Sequence, residues 1–544
     1  MKNEPSVPWD YLIVTASNDA QARAYESQLQ LRHRLGFLPG VRHVLVVADP
    51  EGRRVGSGGS TLCCLMIVVN RELAAARCAM PNAAIVESVL RQQRILIIHA
   101  GGDSRRLPAY GPCGKIFIPV PGRGDAALGC ALFDRIAPQF MGLPAGRSGG
   151  GQVVMAAGDA LIQFDPSNVS LAQPGLTALA CPDTPEQAGK HGVFCAGKNG
   201  QVRLYLQKPS PAEQRKFRAI RQGQSLLDIG IMSFDATLAL ALLQAFGIKP
   251  GRDGQLVWPA AVKREVLARG VDFFREICCA LGDEATAVHH RQQAQGAGSA
   301  WSGEELEKMF TALRAVPFHL QTIPQARFLH FGTTRQLITS GAELRQRDQP
   351  RVAARKPLSL DNALSDGAKI TGTNAWVEGC RLRAPLKLAG QNVVIGVETS
   401  QPLTLPEGAC LDVLSGKSRA GKKVWFVRAY GLRDTFKDTI AKGGTFCGQP
   451  LLDWLAVVGA KPEDIWDRAV PADKRSLWDA RVFPAEAKRD GHRNWLWIFD
   501  PTKATAEQKR AFHVADRYSA AEVAVLADQD EFFIRRRRLR RCHG

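Results

Sequence analysis

The sequence predicts an α/β domain over residues 1–325, a parallel β-helix domain over 326–430 and a helical region over 431–544. Three observations carry this division. Short apolar runs alternate with helix-compatible stretches in the first part. Aliphatic residues recur six positions apart in the second part, and tryptophans accompany helical patterns in the third. With ~150 residues per domain as a guide, a chain of 544 residues accommodates three such units.

Four short apolar runs define the predicted sheet of the first domain. Each is followed by glycine or aspartate and then by a helical pattern, and the runs are 11–16, 44–48, 95–100 and 153–157. Continuous apolar runs of this length are typical of parallel strands that are buried on both faces. Ligands of such sheets bind in the loops after the carboxyl ends of the strands. We therefore expect the functional residues directly after these runs.

The six-residue spacing appears at Leu382, Leu388 and Val394. A coil with three short faces needs one inward aliphatic residue on each face, and this spacing supplies it. An irregular antiparallel sheet is the alternative.

The residues after 430 contain five tryptophans and end in the basic run 535–541, RRRRLRR. Core packing explains the tryptophans better than base stacking, because no basic residues alternate with them. A run of like charges is usually a solvated tail. Binding to nucleic acid and the end of a linker are the alternatives.

The net charge of +19 suits an anionic partner, whether nucleic acid, acidic lipid or a phosphorylated small molecule. A membrane partner is not expected, because the longest apolar run, residues 62–69, is far shorter than the ~20 residues of a membrane helix. The first ten residues also lack the apolar stretch of a signal peptide. The thirteen cysteines include no C-x-x-C pair, which predicts reduced thiols in a cytoplasmic protein and no zinc module.

The most specific pattern lies in residues 95–121, after the third predicted strand. Gly101 and Gly102 let the backbone approach a ligand and expose N–H groups to phosphate oxygens. Arg106 and Lys115 follow, and such cations neutralise the charge that develops on a leaving pyrophosphate. The pattern therefore predicts chemistry on a nucleoside triphosphate.

Two better-known phosphate loops are excluded by sequence. A Walker A loop would require glycine where the chain has Ala109, and serine or threonine where it has Ile116. A second candidate, Gly416-Lys417-Ser418, fails because Leu411 occupies the position of its first glycine.

The segment 100–115, AGGDSRRLPAYGPCGK, resembles the signature of sugar nucleotidyltransferases, in the form found in the GDP-fucose pyrophosphorylase (L-fucose-1-phosphate guanylyltransferase) family. Arg106, rather than Arg105, falls on the family arginine. The resemblance extends to the glycine loop 55–61 and to the stretches 328–341 and 430–456. It implies a Rossmann-like, GT-A-type nucleotidyltransferase domain. In this family the activity occurs alone or as the N-terminal half of bifunctional fucokinase/pyrophosphorylases.

The resemblance implies that Arg106 and Lys115 are catalytic. The residues implied to bind the nucleotide are Gly101, Gly102, Ser104, Gly56, Gly58 and Gly59. Taken alone, the loop 56–61 is more often a turn than a site, since a Rossmann fingerprint requires glycine or alanine where Thr61 stands. Asp159 is implied to hold Mg²⁺, an ion that prefers one or two carboxylates together with phosphate oxygens. A helix N-cap is the alternative for this aspartate.

The residues implied to bind the sugar phosphate are Gly192, Lys208, Asp228 and Gly230. Two departures from the family pattern bear on sugar recognition: His191 replaces an aromatic residue and Gln207 replaces an acid. Asp228 stands where the family has asparagine, so a sugar contact, a metal contact and a structural turn all stay open. No catalytic role is expected for His99, within a strand, or for His289 and His290, at an exposed helix end.

The resemblance thus implies Mg²⁺-dependent transfer of a guanylyl group from GTP to L-fucose 1-phosphate. It leaves open an association with a separate fucokinase, because the chain shows no small-metabolite kinase motif of its own. The alternatives are a transferase for another sugar 1-phosphate or for UTP, and a non-catalytic regulatory or scaffold homologue. Nucleic-acid binding by the basic run is the least favoured.

Overall fold

The computed structural model describes residues 7–541 except 79, 103, 123, 125–127, 325 and 354. The chain divides into two units. The first comprises Met1–Gly102, Ile136–Gly158 and Ile162–Phe328, and the second comprises Asp103–Arg135, Asp159–Leu161 and Leu329–Gly544. The predicted domain boundaries at 325 and 430 stay predictions.

The α-helices of the described residues are α1 (Asp19–Arg34), α2 (Gly56–Ala75), α3 (Ala83–Gln92), α4 (Leu132–Met141), α5 (Pro185–Ala188), α6 (Pro211–Lys216), α7 (Ala236–Ala245), α8 (Ala260–Arg269), α9 (Ala287–Gly296), α10 (Gly303–Leu313), α11 (Thr334–Asp348), α12 (Leu451–Val458), α13 (Pro462–Ile465), α14 (Ala506–Val514), α15 (Ala520–Leu526) and α16 (Gln529–Arg541). None of them is both long enough and apolar enough to cross a membrane.

The strands up to His330 are β1 (Trp9–Ala16), β2 (Val41–Ala48), β3 (Arg94–His99), β4 (Gln152–Ala157), β5 (Ala160–Gln163), β6 (Leu176–Asp183), β7 (Gly192–Ala196), β8 (Val202–Gln207), β9 (Ile220–Arg221), β10 (Gln224–Phe234), β11 (Lys249–Pro250), β12 (Leu256–Val257), β13 (Phe318–Thr322) and β14 (Arg327–His330).

The first unit is built on a mixed sheet with the order β13-β6-β10-β4-β3-β1-β2. The four strands predicted from apolar runs are β1 to β4, and they pair in parallel as expected. Almost every residue of β1 and β3 is buried, because helices cover both faces of a parallel sheet. The central strand β10 runs antiparallel to both β4 and β6, which the apolar runs did not indicate.

The remaining strands are β15 (Leu358–Leu360), β16 (Ala363–Leu364), β17 (Ile370–Thr371), β18 (Trp376–Glu378), β19 (Arg381–Leu382), β20 (Leu386–Leu388), β21 (Val393–Ile395), β22 (Glu398–Thr399), β23 (Leu403–Leu405), β24 (Ala409–Lys417), β25 (Lys423–Gly431), β26 (Thr445–Phe446), β27 (Gln449–Pro450), β28 (Phe483–Glu486) and β29 (Arg517–Tyr518).

The strands β15 to β24 of the second unit form three stacks whose described pairings are parallel. The stacks are β15-β18-β21-β24, β16-β19-β22 and β17-β20-β23. Leu382, Leu388 and Val394 lie on β19, β20 and β21, one in each stack, and all three are buried. The six-residue spacing therefore places one buried aliphatic side chain in each of the three stacks.

The sequence predicted a helical region after residue 430, but this region also contains strands. Strand β25 pairs with β24 on one side and with β28 on the other, and β28 pairs with β29. The strands β28 and β29 are too short to show a period of two in the sequence, so local patterning could not reveal them.

The basic run 535–541 lies in α16. Part of the run is buried, so it is not the solvated tail that the sequence predicted. Arg536 is buried against Glu378, and the Arg540 guanidinium lies 2.7 Å from the Asp361 carboxylate. Their acidic partners are Glu378, at the end of β18, and Asp361, directly after β15. A count of like charges along the helix does not reveal such distant partners.

The register of the second stack yields a matched pair of variants. Leu382 is fully buried, whereas its strand partner Leu364 is 37% exposed. We expect Leu382→Ala to lower the free energy of unfolding by about 2–5 kcal/mol because it leaves a cavity. Leu364→Ala should cost less than about 1 kcal/mol. Urea denaturation monitored by circular dichroism measures both, and equal losses would contradict the inward orientation of Leu382.

Candidate active site

Arg106, Lys115 and Asp159 form a charged group within the second unit. Lys115 opens the short 3-10 turn Lys115–Phe117, which follows Gly114 in the left-handed region at φ 71°. Its Nζ lies 3.4 Å from Asp159 Oδ2, and the two side chains are 18% and 39% exposed. Both groups are therefore close to each other and open to a ligand.

The segment after β14 holds this charged group in place, although sequence reasoning had assigned it no role. The Phe331 N–H donates to the Asp159 carbonyl at 3.1 Å, and the Thr334 N–H donates to the Arg106 carbonyl at 2.9 Å. A Cβ at Gly332 would lie 3.6 Å from Asp159 Oδ2 and 3.8 Å from Arg106 Nη2. The only sequence signal was that these residues fall in the family-like stretch 328–341.

His330 also belongs to this charged group and was missed by sequence reasoning. Burial lowers the pKa of its imidazole, the carboxylate of Asp159 raises the pKa, and the guanidinium of Arg106 lowers it again. The net effect favours a neutral ring beside two charges of opposite sign.

We call residues 104–117 the signature loop. Ser104 begins it in the left-handed region, at φ 53°, and its carbonyl accepts a hydrogen bond from the Leu107 N–H at 2.7 Å. Ser104 is buried, and its assignment to nucleotide binding stays a prediction.

In the first unit, the carboxyl ends of β1 and β3 lie side by side. The Gly102 N–H donates to Ser17 Oγ at 2.5 Å, and the Gly101 N–H donates to Thr15 Oγ1 at 3.4 Å. Gly102 has φ 120°, and a Cβ there would meet no atom within 4 Å. Open space therefore lies over this glycine at the end of a parallel strand, where α/β sheets bind ligands.

The glycines of the earlier loop are explained by packing. Gly58 and Gly59 lie in the first turn of α2, and both donate their N–H groups to the Val271 carbonyl, at 2.8 and 3.1 Å. A Cβ at Gly56 would come within 2.3 Å of the same oxygen. Close approach to Val271 explains Gly56 and Gly58, and close approach to the Val55 side chain explains Gly59. The role of the three glycines in nucleotide binding stays a prediction.

Asp228 is buried and both of its carboxylate oxygens accept hydrogen bonds. Tyr205 Oη donates to one oxygen at 2.8 Å, and the Gly230 N–H donates to the other at 2.7 Å. Burial raises the pKa of Asp228 to about 7, and the two hydrogen bonds oppose this increase. The geometry is that of the structural turn, and a sugar or metal contact for Asp228 stays a prediction.

Gly192 and Gly230 flank the Tyr205–Asp228 pair. A Cβ at Gly192 would lie 1.7 Å from Tyr205 Oη, so glycine is required for that hydroxyl to reach Asp228. Gly230 adopts φ 73°, and a Cβ there would lie 3.4 Å from the Ala157 Cβ, at the end of β4. Three of the four predicted sugar-phosphate residues are thus brought together.

Lys208, the fourth predicted sugar-phosphate residue, is exposed at the end of β8. It adopts a left-handed conformation with φ 51°, and its N–H donates to the His191 carbonyl at 3.0 Å. Its contact with a sugar phosphate stays a prediction.

The histidines differ in part from expectation. His99 ends β3 as predicted, and its Nε2 lies 3.1 Å from Thr61 Oγ1. The expectation that His290 is exposed was wrong, because it is fully buried in α9 with Nε2 2.8 Å from the Glu276 carbonyl oxygen. This hydrogen bond to a distant carbonyl explains why a polar residue occupies a core position.

The donor set fits a magnesium ion whose other ligands are phosphate oxygens. Among the residues that the structure describes, no group of three or more His, Cys, Asp or Glu side chains is arranged to hold a metal. Asp159 offers a single, partly exposed carboxylate, and Mg²⁺ is commonly bound by one or two carboxylates plus phosphates. Both oxygens of the buried Asp228 already accept hydrogen bonds, and its place as a second ligand stays a prediction.

The chain is similar in sequence to known proteins over most of its length. The family model of the fucose pyrophosphorylase domain matches residues 87–488. A bifunctional fucokinase/GDP-fucose pyrophosphorylase of Arabidopsis thaliana is 26% identical over 95% of this chain and 50% of its own length. An L-fucokinase/L-fucose-1-P guanylyltransferase of Bacteroides fragilis is 26% identical over 91% of this chain and 48% of its own length. A fucose-1-phosphate guanylyltransferase of Mus musculus is 24% identical over 88% of this chain and 83% of its own length.

The chain therefore spans about half the length of the two bifunctional relatives that it matches.

The raised pKa of Asp228 predicts a pH-dependent stability. Because the folded state holds this proton up to about pH 7 while the unfolded carboxyl loses it near 3.8, stability falls as the pH rises between these values. We expect wild type to lose roughly 2 kcal/mol more than Asp228→Asn between pH 5 and pH 7. Urea denaturation of both proteins at the two pH values measures the difference, and parallel pH profiles would contradict it.

Proposed function

The chain belongs to the fucose pyrophosphorylase family, and we propose that it transfers the guanylyl group of GTP to L-fucose 1-phosphate, giving GDP-L-fucose and pyrophosphate. The observation that carries the proposal is the charged group of Arg106, Lys115 and Asp159, with the lysine ammonium 3.4 Å from the carboxylate. Two cations beside one partly exposed carboxylate suit a triphosphate bound with a divalent ion.

In the proposed reaction, a phosphate oxygen of L-fucose 1-phosphate attacks the α-phosphorus of GTP in line. The bond from the α-phosphorus to the bridging oxygen of the β-phosphate breaks, and pyrophosphate leaves with that electron pair. No protein base is required, because the attacking phosphate is already ionised at neutral pH. Catalysis then consists of positioning and charge neutralisation. Arg106 and Lys115 offset the charge on the triphosphate and on the departing pyrophosphate.

Asp159 would hold Mg²⁺. When bound, this ion supplies charge neutralisation between the nucleotide and sugar phosphates. Lys115 balances the Asp159 carboxylate in its absence, since the two groups already form an ion pair.

The substrate contacts follow from the loops. Gly101, Gly102 and Ser104 would bind the nucleotide phosphates, and the open space over Gly102 supports this assignment. Lys208 would meet the sugar phosphate with its exposed ammonium. We propose that Gly192, Asp228 and Gly230 shape the sugar site through the buried Tyr205–Asp228 hydrogen bond.

Three further assignments are proposals of the same kind. The parallel stacks of β15 to β24 would form a β-helix of the class predicted from the six-residue spacing. The reaction would take place in the cytoplasm. A separate fucokinase would supply L-fucose 1-phosphate and could associate with this chain, as the names of the bifunctional relatives suggest.

Pyrophosphate release from the purified protein with Mg²⁺ tests the proposal. GTP and UTP are each paired with L-fucose 1-phosphate and with mannose 1-phosphate. We expect release with GTP and L-fucose 1-phosphate only. Release with another pair would refute the substrates and keep the chemistry, whereas no release with any pair would favour the regulatory or scaffold homologue.

Two adjacent arginines provide a matched test of the catalytic cations. Arg106→Ala and Lys115→Ala should each lower kcat/KM by about 10²–10³, as expected for the loss of one preorganised charge. Arg105→Ala should leave the rate within about threefold, because Arg105 lies over the Trp478 ring, 5.7 Å from its centroid. A loss in Arg105→Ala as large as that in Arg106→Ala would contradict the assignment.

A further inference from the structure

The C-terminal helix α16 contacts the signature loop through a buried carboxylate. Tyr110 Oη donates to Glu378 Oε2 at 3.1 Å, and the Trp376 indole N–H donates to Tyr110 Oη at 2.8 Å. Arg536 Nη2 of α16 lies 2.5 Å from the same Glu378 oxygen. We call these four residues the Glu378 network.

The Glu378 network is closed to water. The Glu378 side chain is 0% exposed and that of Arg536 is 5% exposed. A buried carboxylate that loses its partner is strongly destabilising, whereas replacement of both partners by apolar residues is often neutral. The pair is therefore better explained by the arrangement that it fixes than by the stability that it adds.

Helix α16 also contacts the signature loop on both sides of Lys115. The ring of Phe532 packs edge-on against Tyr110, with centroids 5.9 Å apart. The ring of Phe533 packs edge-on against Phe117 at 6.0 Å. Tyr110 precedes Lys115 by five positions and Phe117 follows it by two. Helix α16 therefore contacts the loop on both sides of the lysine.

A second buried ion pair, Arg428–Asp412, contacts the turn Pro108–Tyr110 of the signature loop. Arg428 Nε lies 2.7 Å from Asp412 Oδ1, with both side chains fully buried, and Arg428 Nη2 donates to the Pro108 carbonyl at 3.0 Å. The turn Pro108–Tyr110 is thus fixed at its carbonyl by Arg428 and at its hydroxyl by Glu378. This arrangement leaves the loop little freedom between Pro108 and Phe117.

We infer that α16 is a positioning element for the reaction: Arg536 orients Glu378, Glu378 orients Tyr110, and Tyr110 together with Phe117 fixes the backbone that presents Lys115. The inference rests on the proposed function. It gives the basic run 535–541 a role inside the protein, where the sequence suggested a solvated tail. Because displacement of a catalytic group by ~1 Å can cost 10²-fold in rate, loosening this contact should lower turnover.

The sharpest variant is Tyr110→Phe, which removes only the hydroxyl that joins the loop to Glu378. We expect kcat to fall about tenfold while KM for GTP and for L-fucose 1-phosphate stays within about twofold, since Lys115 acts mainly in the transition state. The exposed neighbour Arg537 on the same helix supplies the control, and Arg537→Ala should keep wild-type kcat. Equal kcat in Tyr110→Phe and wild type would overturn the inference.

Two further variants separate positioning from folding. The double variant Arg536→Met with Glu378→Met replaces both charges, so it should unfold near the wild-type urea midpoint and still lose about tenfold in kcat. Arg536→Lys keeps a cation beside Glu378 and should retain more kcat than the double variant. A double variant with wild-type stability and wild-type kcat would refute the positioning role.

Amide hydrogen exchange provides a measurement that does not depend on activity. Peptides that cover residues 104–117 should exchange about tenfold faster in Tyr110→Phe and in the double variant than in wild type, and Arg537→Ala should match wild type. If wild type releases no pyrophosphate with any substrate pair, the proposed function fails, and this exchange result alone decides whether α16 fixes the loop. Unchanged exchange in Tyr110→Phe would overturn the inference.

Discussion

The buried Glu378 carboxylate is the constraint on which the second unit depends. A charge with 0% exposure must be paired, and Arg536 and Tyr110 provide the partners from α16 and from the signature loop. The Glu378 side chain, on strand β18, therefore contacts both α16 and the signature loop, which are far apart in sequence. Lys115 lies on a loop whose two aromatic residues, Tyr110 and Phe117, both pack against α16.

In the first unit, open space lies over Gly102, after the carboxyl end of the buried strand β3. Parallel pairing of β1, β3 and β4 aligns the carboxyl ends of the strands, so Ser17, Gly101 and Gly158 lie just after neighbouring strands. The glycines keep side chains away from this edge, and the strands that precede them are almost fully buried. Rigid strands thus carry open loops, which is the usual division of labour in α/β proteins.

Sequence reasoning succeeded where the signal was local. Apolar runs located β1 to β4, and the six-residue spacing of Leu382, Leu388 and Val394 matches their positions on three successive strands, one in each stack. It failed where the partner is distant: nothing near Gly58 indicates the Val271 carbonyl, and nothing near Arg536 indicates Glu378. The proximity of Lys115 and Asp159 followed only from the family resemblance, since forty-four positions separate them along the chain. Their roles as catalyst and metal ligand stay predictions.

The proposed reaction requires that a phosphate oxygen of L-fucose 1-phosphate forms the new bond to the α-phosphorus of GTP and that pyrophosphate leaves from GTP. L-fucose 1-phosphate with ¹⁸O in its three terminal phosphate oxygens tests this most directly, with mass spectrometry of both products. We expect all three labelled oxygens in GDP-L-fucose and none in pyrophosphate, because the bond that breaks lies within GTP. Label in pyrophosphate, or unlabelled GDP-L-fucose, would contradict it.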